Sequence, residues 1–101
     1  MPKKFSKKPM TFFQKRVYRA VKKIPGGKFL TYKKVARLVG FPNAWRAVGN
    51  TLNHNPDLKI IPCHRVIKSD GKIGGYRYGT KRKTSLLKKE GVVIKNGRIV
   101  L

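Results

Sequence analysis

The sequence predicts a mainly α-helical fold, a winged-helix-like helix-turn-helix domain with short strands and a C-terminal β-hairpin. Two observations predict the helices: apolar residues recur at helical spacing in successive segments, and residues that favour caps and turns separate these segments. A third observation predicts the hairpin, because two short runs rich in β-branched residues flank an Asn-Gly pair near the C-terminus. At 101 residues the chain has room for one such domain.

The domain is expected to span residues 11–101, after a flexible basic tail over residues 1–10. The tail carries four lysines and two prolines, a composition that favours a mobile segment attracted to phosphate. Thr11 is placed to cap a first helix over residues 12–23, which has apolar residues at helical spacing. Pro25-Gly26-Gly27 ends this helix, and a short extended link follows.

A second and a third helix, joined by a tight turn, form the predicted helix-turn-helix. Thr31 caps the second helix, which covers residues 32–39 and ends at Gly40. Asn43 is predicted to cap the third helix, over residues 44–53. Helix pairs of this kind are also common in purely structural proteins, so the pattern alone is only moderately specific for DNA binding.

The third helix presents three different faces. Trp45, Val48 and Leu52 are spaced to anchor it in the core. The other positions form a polar stripe and a stripe of small residues, which are Arg46, Asn50 and Asn53, and Ala44, Ala47 and Thr51. Small side chains let a helix backbone come close to another surface, so this pattern favours a helix that docks in a nucleic-acid groove. The alternative is an ordinary solvent-exposed face, although such faces usually carry more long charged side chains.

The second half of the chain alternates turns with short elements. We predict a turn over residues 54–57, a short apolar strand over 58–61, a turn over 69–71 and a Gly/Tyr loop over 74–79. This loop is either plain turn chemistry or the wall of a pocket, since glycine allows a ligand to approach the backbone. A helix over 80–90 buries Leu86 and Leu87 and ends at Gly91. The hairpin follows, with strands over 92–95 and 98–101.

Charge is the most extreme feature of the composition. Lys and Arg number 26 against three acidic residues, which gives a net charge of +23 at pH 7. Surface ion pairs cannot neutralise this excess, so it favours a polyanionic partner, and nucleic acid fits best. An anionic membrane surface is the rival, but no apolar run approaches the roughly 20 residues that span a bilayer, and no helix has a broad apolar face to spare. A generic solubilising surface is the third reading.

The small numbers of cysteines and histidines limit which cellular compartments and which cofactors the protein can be expected to have. The sequence holds one cysteine and two histidines, so we predict no internal disulfide, no structural metal site and no cofactor. We therefore expect a reducing compartment, either a prokaryotic cytoplasm with the protein at the nucleoid, or the nucleus of a eukaryote.

The single cysteine, Cys63, is followed directly by His64 within an apolar stretch over residues 61–67. A cysteine beside a histidine is a candidate nucleophile with a base nearby. The alternative is a buried structural cysteine followed by a surface histidine. Neighbours on a strand point to opposite faces, so His64 needs a turn or a bridging water to act on Cys63.

A set of motifs in this order resembles the DNA-binding and catalytic domain of the O6-alkylguanine-DNA alkyltransferases. The resemblance covers about residues 13–91, and its most specific part is Pro62-Cys63-His64-Arg65-Val66. The supporting segments, in chain order, are Ile24-Pro25…Gly27, Thr31-Tyr32, Arg46-Ala47-Val48-Gly49, Asn55-Pro56, Gly74-Gly75-Tyr76 and Glu90-Gly91.

Members of that family flip an alkylated guanine out of duplex DNA and transfer its O6-alkyl group, once per molecule, to a cysteine. The resemblance implies that Cys63 is the acceptor, that His64 and Glu90 activate it through a water, and that Asn55 braces the network. The residues implied to bind the flipped base are Tyr32, Val66, Gly75, Tyr76 and Arg77. The residues implied to contact DNA in the minor groove are Ala44, Ala47, Asn50, Thr51, Arg65 and Arg46, of which Arg46 fills the vacated place in the base stack.

The chain departs from the family pattern at its N-terminus. Most members carry a further domain ahead of this one, whereas here a short tail precedes the first helix. Related alkyltransferase-like proteins bind alkylated DNA without repairing it and have tryptophan where this chain has Cys63. We therefore predict a monomeric DNA-repair methyltransferase whose partner is duplex DNA carrying O6-alkylguanine. A non-enzymatic sensor of alkylated DNA and a plain basic nucleoid protein are the alternatives.

Overall fold

The computed structural model describes residues 11–100, so the tail predicted over residues 1–10 lies outside the described residues. The described part is mainly helical, as predicted, with four α-helices, one 3-10 turn and four two-residue strands. In chain order these are α1 (Phe12–Lys22), β1 (Leu30–Thr31), α2 (Tyr32–Leu38), α3 (Trp45–Asn53), the 3-10 turn (Cys63–Arg65), β2 (Val66–Ile67), α4 (Thr80–Lys89), β3 (Ile94–Lys95) and β4 (Arg98–Ile99). None of these helices combines the length and apolar character that a membrane crossing requires.

The caps predicted for the first two helices are confirmed. At α1 the Thr11 hydroxyl accepts a hydrogen bond from the Gln14 amide, and the Gln14 side chain accepts one from the Thr11 amide, each over 3.0 Å. This capping box satisfies two backbone donors that the first turn leaves free. At α2 the Thr31 hydroxyl accepts from the Lys34 amide over 3.0 Å. The cap residues of these two helices are predicted by the neighbouring sequence alone, and tertiary packing does not move the two helix starts.

The third helix corrects two predictions. It begins at Trp45, and its N-cap position is Ala44, which offers no side-chain hydrogen bond. Asn43 is not the cap, because the preceding turn is closed by the backbone, with the Ala44 amide donating to the Phe41 carbonyl over 2.9 Å. Trp45 was predicted to lie in the core but is 37% exposed, whereas Val48 is fully buried as predicted.

Two apolar clusters form the core. The first lies among α1, α2 and α3 and includes Val17, Val35, Val48, Val66 and Cys63. The second joins α4 to the C-terminal hairpin and consists of Ile67, Ile73, Leu87, Val92 and Ile99. The parallel pairing of β1 with β2 connects the two clusters. The Cys63 turn directly precedes β2, so it lies at the junction of both halves of the fold.

The link between α3 and the Cys63 turn is not a strand, which corrects the prediction for residues 58–61. The amides of Ile60 and Ile61 both donate to the Asp57 carbonyl, over 3.3 and 2.9 Å. The segment therefore turns, exposes Ile60 and buries Ile61. A run of apolar residues this short does not distinguish a strand from a turn that buries one side chain.

The C-terminal part follows the prediction with shorter strands. Helix α4 ends at Glu90, and Gly91 follows with a φ of 91°. Of the two leucines predicted to be buried in α4, Leu87 is buried and Leu86 is half-buried. β3 pairs with β4 in antiparallel register across the Asn96-Gly97 turn, whose φ angles of 53° and 75° are those of the predicted two-residue turn.

Candidate active site

Cys63 opens the 3-10 turn and is a free thiol with 5% of its surface exposed. Its amide donates to the Ile61 carbonyl over 2.8 Å, which holds the chain in a tight bend at Pro62. Burial raises the pKa of the Cys63 thiol, because an apolar site disfavours the charged thiolate. Four influences act against this effect: a hydrogen bond from the Asn55 side chain, the charge of Lys83, a backbone hydrogen bond and the charge of Arg77. The acceptor predicted from the sequence is thus a buried thiol surrounded by groups that favour its ionised form.

Asn55 connects the segments around the thiol. It is 1% exposed, and its side-chain amide donates to the Ile61 carbonyl over 2.7 Å. Its side-chain oxygen accepts from the Asp57 amide over 2.9 Å. Its backbone carbonyl accepts from the Arg77 guanidinium over 2.8 Å. Through these three hydrogen bonds Asn55 holds the turn before Cys63 in place and ties it to Arg77 of the Gly/Tyr loop.

His64 faces a carboxylate rather than the thiol. Its Nε2 lies 3.0 Å from Glu90 Oε2, at the end of α4. Among the hydrogen bonds of residues 11–100, none joins His64 to Cys63, so any proton transfer between them needs an intermediary. A proton on Nε2 shared with Glu90 leaves Nδ1 unprotonated, which is the state of a general base.

Arg65 holds the same carboxylate from the other side. Its guanidinium donates through Nε and Nη2 to both oxygens of Glu90, and through Nη1 to the Ile24 carbonyl over 2.7 Å. The Arg65 hydrogen bonds, followed by that of His64, lower the pKa of Glu90 to about 2. Glu90 is therefore ionised at neutral pH and orients His64. Arg65 was predicted to contact DNA; in the structure its guanidinium is bound to Glu90 and Ile24, and the DNA contact stays a prediction.

Lys83 is a site residue that the sequence did not reveal. It is fully buried, and its ammonium donates to the Val66 carbonyl over 2.6 Å, to the Gly75 carbonyl over 3.0 Å and to the Tyr32 hydroxyl over 3.3 Å. Burial lowers the pKa of Lys83 to about 8, and the nearby Cys63 acts in the opposite direction. The signal available in the sequence was its position four residues before Leu87, on the buried stripe of α4.

Three of the residues predicted to bind a flipped base, Tyr32, Val66 and Gly75, come together around this ammonium. Tyr32, the first residue of α2, contacts Gly75 through its hydroxyl, and burial raises the pKa of that hydroxyl. Val66 is fully buried in β2, Tyr76 is half-buried, and Arg77 reaches Asn55 as described. A further residue matters here: Gly74 has a φ of 80°, and a Cβ at this position would lie 3.3 Å from the Tyr32 ring. The loop thus needs glycine to let Tyr32 approach.

The residues predicted to contact DNA separate into two groups. Arg46, Ala47 and Asn50 are exposed on α3, and Ala44 is half-buried at its start. Thr51 is 5% exposed, and its carbonyl accepts a hydrogen bond from the Tyr18 hydroxyl over 2.7 Å. The Thr51 side chain thus lies on the core side of the helix, and its contact with DNA stays a prediction. Trp45 and Gly49 line a groove beside the exposed face of α3.

Comparison with known proteins agrees with this geometry. The family model described as "6-O-methylguanine DNA methyltransferase, DNA binding domain" matches residues 12–92. A methylated-DNA–protein-cysteine methyltransferase of Methanosarcina barkeri is 54% identical over 80 residues, which are 79% of this chain and 51% of that protein. One from Methanosarcina acetivorans is 51% identical over 81 residues, which are 80% of this chain and 52% of that protein. The chain therefore spans about half the length of these curated relatives.

Two solved structures resemble the fold closely. S. pombe Atl1, in complex with damaged DNA containing O6-carboxymethylguanine, matches with a TM-score of 0.80 and 38% identity over 93% of this chain and 92% of Atl1. Mycobacterium tuberculosis OGT, in complex with DNA, matches with a TM-score of 0.79 and 46% identity over 82% of this chain and 51% of OGT. With the family model covering most of its residues, the chain belongs to the family of 6-O-methylguanine DNA methyltransferases, through their DNA-binding domain.

Proposed function

We propose that the protein repairs DNA by transferring an alkyl group from O6 of guanine to Cys63. The observation that supports this most strongly is the arrangement around the thiol. Asn55 braces the preceding turn, while Glu90 orients His64 just beyond the cysteine. A purely structural cysteine does not require a buried ion-paired histidine as its neighbour.

The proposed reaction is a displacement at carbon, and it requires a thiolate. The Cys63 proton leaves through an intermediary to His64, whose positive charge Glu90 then stabilises. Sγ attacks the alkyl carbon, and the carbon–O6 bond breaks with its electron pair passing to the guanine. The guanine takes up a proton and is restored, while the protein keeps a thioether. Each molecule therefore acts once.

The proposed substrate is duplex DNA carrying O6-alkylguanine, bound through the exposed face of α3 in the minor groove. The small side chain of Ala47 allows close approach, and Arg46 is free to enter the base stack when the guanine leaves it. Extruding a base costs a few kcal/mol, which an inserted side chain partly offsets. The +23 net charge supplies general attraction to the phosphate backbone. We propose that the protein acts as a monomer, in the prokaryotic cytoplasm at the nucleoid or in a eukaryotic nucleus.

The test is transfer from a duplex containing O6-methylguanine under reducing conditions. We expect one methyl group on the peptide that contains Cys63, detected by mass spectrometry, and a plateau at one methyl group per protein. Cys63→Ser is expected to abolish transfer and to keep DNA binding. His64→Gln is expected to slow transfer, while His54→Gln, at the exposed second histidine, serves as its control. Folded protein that binds the lesion and takes up no methyl group would contradict the proposal.

A second candidate is a sensor that binds alkylated DNA without repairing it. The resemblance to S. pombe Atl1 over 92% of that chain favours it. The presence of a free thiol at position 63 favours the transferase instead. The same assay separates the two functions, because a sensor shows selective binding to lesion DNA with Cys63 unmodified.

A further inference from the structure

The C-terminal hairpin carries a row of cations at a single register. In the antiparallel pairing of β3 with β4, Lys95 lies opposite Arg98, and Arg98 forms a second antiparallel bridge with Lys72. Residues directly opposite each other in antiparallel strands project their side chains on the same face. All three side chains are exposed, while Ile99, the neighbour of Arg98, turns inward to the second core cluster. We call Lys72, Lys95 and Arg98, together with the nearby Lys68, the basic wing.

This arrangement is unfavourable for the protein alone. Like charges on directly opposite residues destabilise a sheet, by a few tenths of a kcal/mol to about 1 kcal/mol for each pair. One carboxylate lies near them: Asp70 accepts a hydrogen bond from the Lys72 amide over 3.0 Å. That hydrogen bond, and then the charges of Lys68, Lys72 and Arg98, lower the pKa of Asp70. One carboxylate against four cations leaves a net charge of +3, which an anionic partner would neutralise.

A groove of about 730 Å³ joins the wing to the proposed DNA-binding face. Lys68, Lys72 and Arg98 line one side of it, and the α3 residues Trp45, Gly49 and Asn53 line the other. Tyr32 and Gly75, which are predicted to bind the flipped base, also border this groove. The wing therefore lies beside the surface that is proposed to enter the minor groove, within reach of a backbone that passes α3.

We propose that the basic wing is a second DNA contact, which holds the sugar-phosphate backbone of the duplex while α3 occupies the minor groove. This inference rests on the proposed function. The occupant is assigned by charge complementarity: Lys72, Arg98 and Lys95 follow one another across the paired strands, and such a row of cations matches successive phosphates. Lys72 and Arg98 also border the groove shared with the docking helix. The hairpin residues Lys95 and Arg98 lie beyond residue 92, where the family model ends, so the hairpin part of the contact is not covered by the family match.

The test compares two charge-matched triple variants in DNA binding as a function of salt. The wing variant is Lys72→Gln/Lys95→Gln/Arg98→Gln. The control is Arg19→Gln/Lys22→Gln/Lys23→Gln, which removes three exposed cations from the end of α1, outside the groove. Each phosphate contact contributes about 0.9 to the slope of log K against log salt. We expect the wing variant to lose about 2 to 3 from this slope, and the control to lose less than about 1.

The expected difference is large enough to measure. Three lost contacts mean that raising the salt from 50 to 200 mM weakens the wild type about 40-fold more than the wing variant. Intact and lesion-containing duplexes should show the same loss, because phosphate contacts carry no sequence information. Equal slopes for the two triple variants would overturn the proposal, since the effect would then be one of net charge.

Neutral methylphosphonate linkages, placed one at a time along the duplex, provide an independent measurement. A linkage at a phosphate that the wing contacts should weaken the wild type and leave the wing variant unaffected. If no such linkage exists, the wing does not hold the backbone. Intact DNA suffices for both experiments, so an absence of methyl transfer to Cys63 would leave them interpretable. Conversely, normal transfer with equal slopes would reject the wing and keep the proposed function.

Discussion

Replacing Lys83 with methionine separates the charge of this side chain from its volume. Methionine has nearly the same length, so the Lys83→Met variant fills the same space between α4 and β2. It removes the ammonium and with it the hydrogen bonds to the carbonyls of Val66 and Gly75 and to the hydroxyl of Tyr32. The predicted consequences are a loss of stability at neutral pH, a changed dependence of stability on pH, and slower methyl transfer.

Two opposing energies determine the stability change. Burial lowers the pKa of Lys83 from 10.5 to about 8, so the charged form costs about 3 kcal/mol in the folded protein. The substitution removes this cost. It also removes hydrogen bonds from a charged donor, which are worth roughly 1.5 to 3 kcal/mol each. Three such bonds are worth roughly 4.5 to 9 kcal/mol together, more than the cost of about 3 kcal/mol, so we expect the free energy of unfolding at pH 7 to fall by roughly 2 to 6 kcal/mol.

The pH dependence gives a signature that packing alone would not produce. Because the pKa of Lys83 is lower in the folded state, the folded protein binds fewer protons than the unfolded chain between about pH 8 and 10.5. Wild-type stability should therefore gain up to about 3 kcal/mol from this group as the pH rises through that window. The Lys83→Met variant should lack this gain, whereas Lys81→Met, at an exposed lysine of the same helix, should keep it.

Urea denaturation at pH 7, 8, 9 and 10 measures the effect as the difference in the free energy of unfolding between variant and wild type. Methyl transfer in the variant should also slow at pH 7, because the charge of Lys83 is one of the influences that lower the pKa of the Cys63 thiol. Raising the pH should restore part of that rate. Parallel stability curves for Lys83→Met and wild type would refute the assignment of a neutralisable ammonium at this site.

Three further variants test other parts of the site. The wild type should lose stability as the pH falls from about 4.5 toward 2, because the pKa of the Glu90 carboxyl is lowered to about 2 in the folded state. Glu90→Gln should lack this pH-dependent contribution, which thermal unfolding between pH 6 and 2.5 measures. The same loss of stability in the variant would count against the Arg65–Glu90 ion pair. Gly74→Ala should lower the free energy of unfolding by about 1 to 3 kcal/mol because of the positive φ at this position, and it should slow methyl transfer by displacing Tyr32. Its control is Gly40→Ala, at a position with a φ of 92° and open space around it, which should lower stability without changing the rate of transfer. Arg46→Ala should keep the free energy of unfolding within about 0.5 kcal/mol of the wild-type value. It should reduce base extrusion, which the fluorescence of a 2-aminopurine opposite or beside the lesion reports. Unchanged extrusion would show that this arginine does not enter the base stack.

Local signals in the sequence predicted the helices well, and tertiary effects account for the errors. Thr11 and Thr31 cap their helices because the cap bond involves only the next three residues. Trp45 failed as a core residue because its place on the apolar stripe falls at the first turn of α3, beside a groove, where the Lys33 ammonium of α2 lies 5.3 Å from the centre of its ring. Strands β1 and β2 pair over two residues each, which is too short for any periodicity to appear.

The site was predicted through motifs, and the part that was missed depends on contacts across the fold. Helix α4 carries several lysines, and residue type alone assigns all of them to solvent. Lys83 is buried instead because its place on the buried stripe brings its ammonium to the carbonyls of Val66 and Gly75, which accept hydrogen bonds from it. The same applies to Arg65, where the sequence gives a cation but not its bond to Glu90.

The Pro25-Gly26-Gly27 segment shows how a simple turn signal carries a second requirement. It ends α1, as predicted, and it also lies against the ion pair that orients His64. A Cβ at Gly26 would lie 3.3 Å from the Arg65 guanidinium, and one at Gly27, where φ is 86°, would lie 3.1 Å from the Glu90 carbonyl. The Arg65 guanidinium also donates to the Ile24 carbonyl just ahead of this segment. These glycines therefore make room for the end of α4, and the geometry of His64 depends on residues almost forty positions before it.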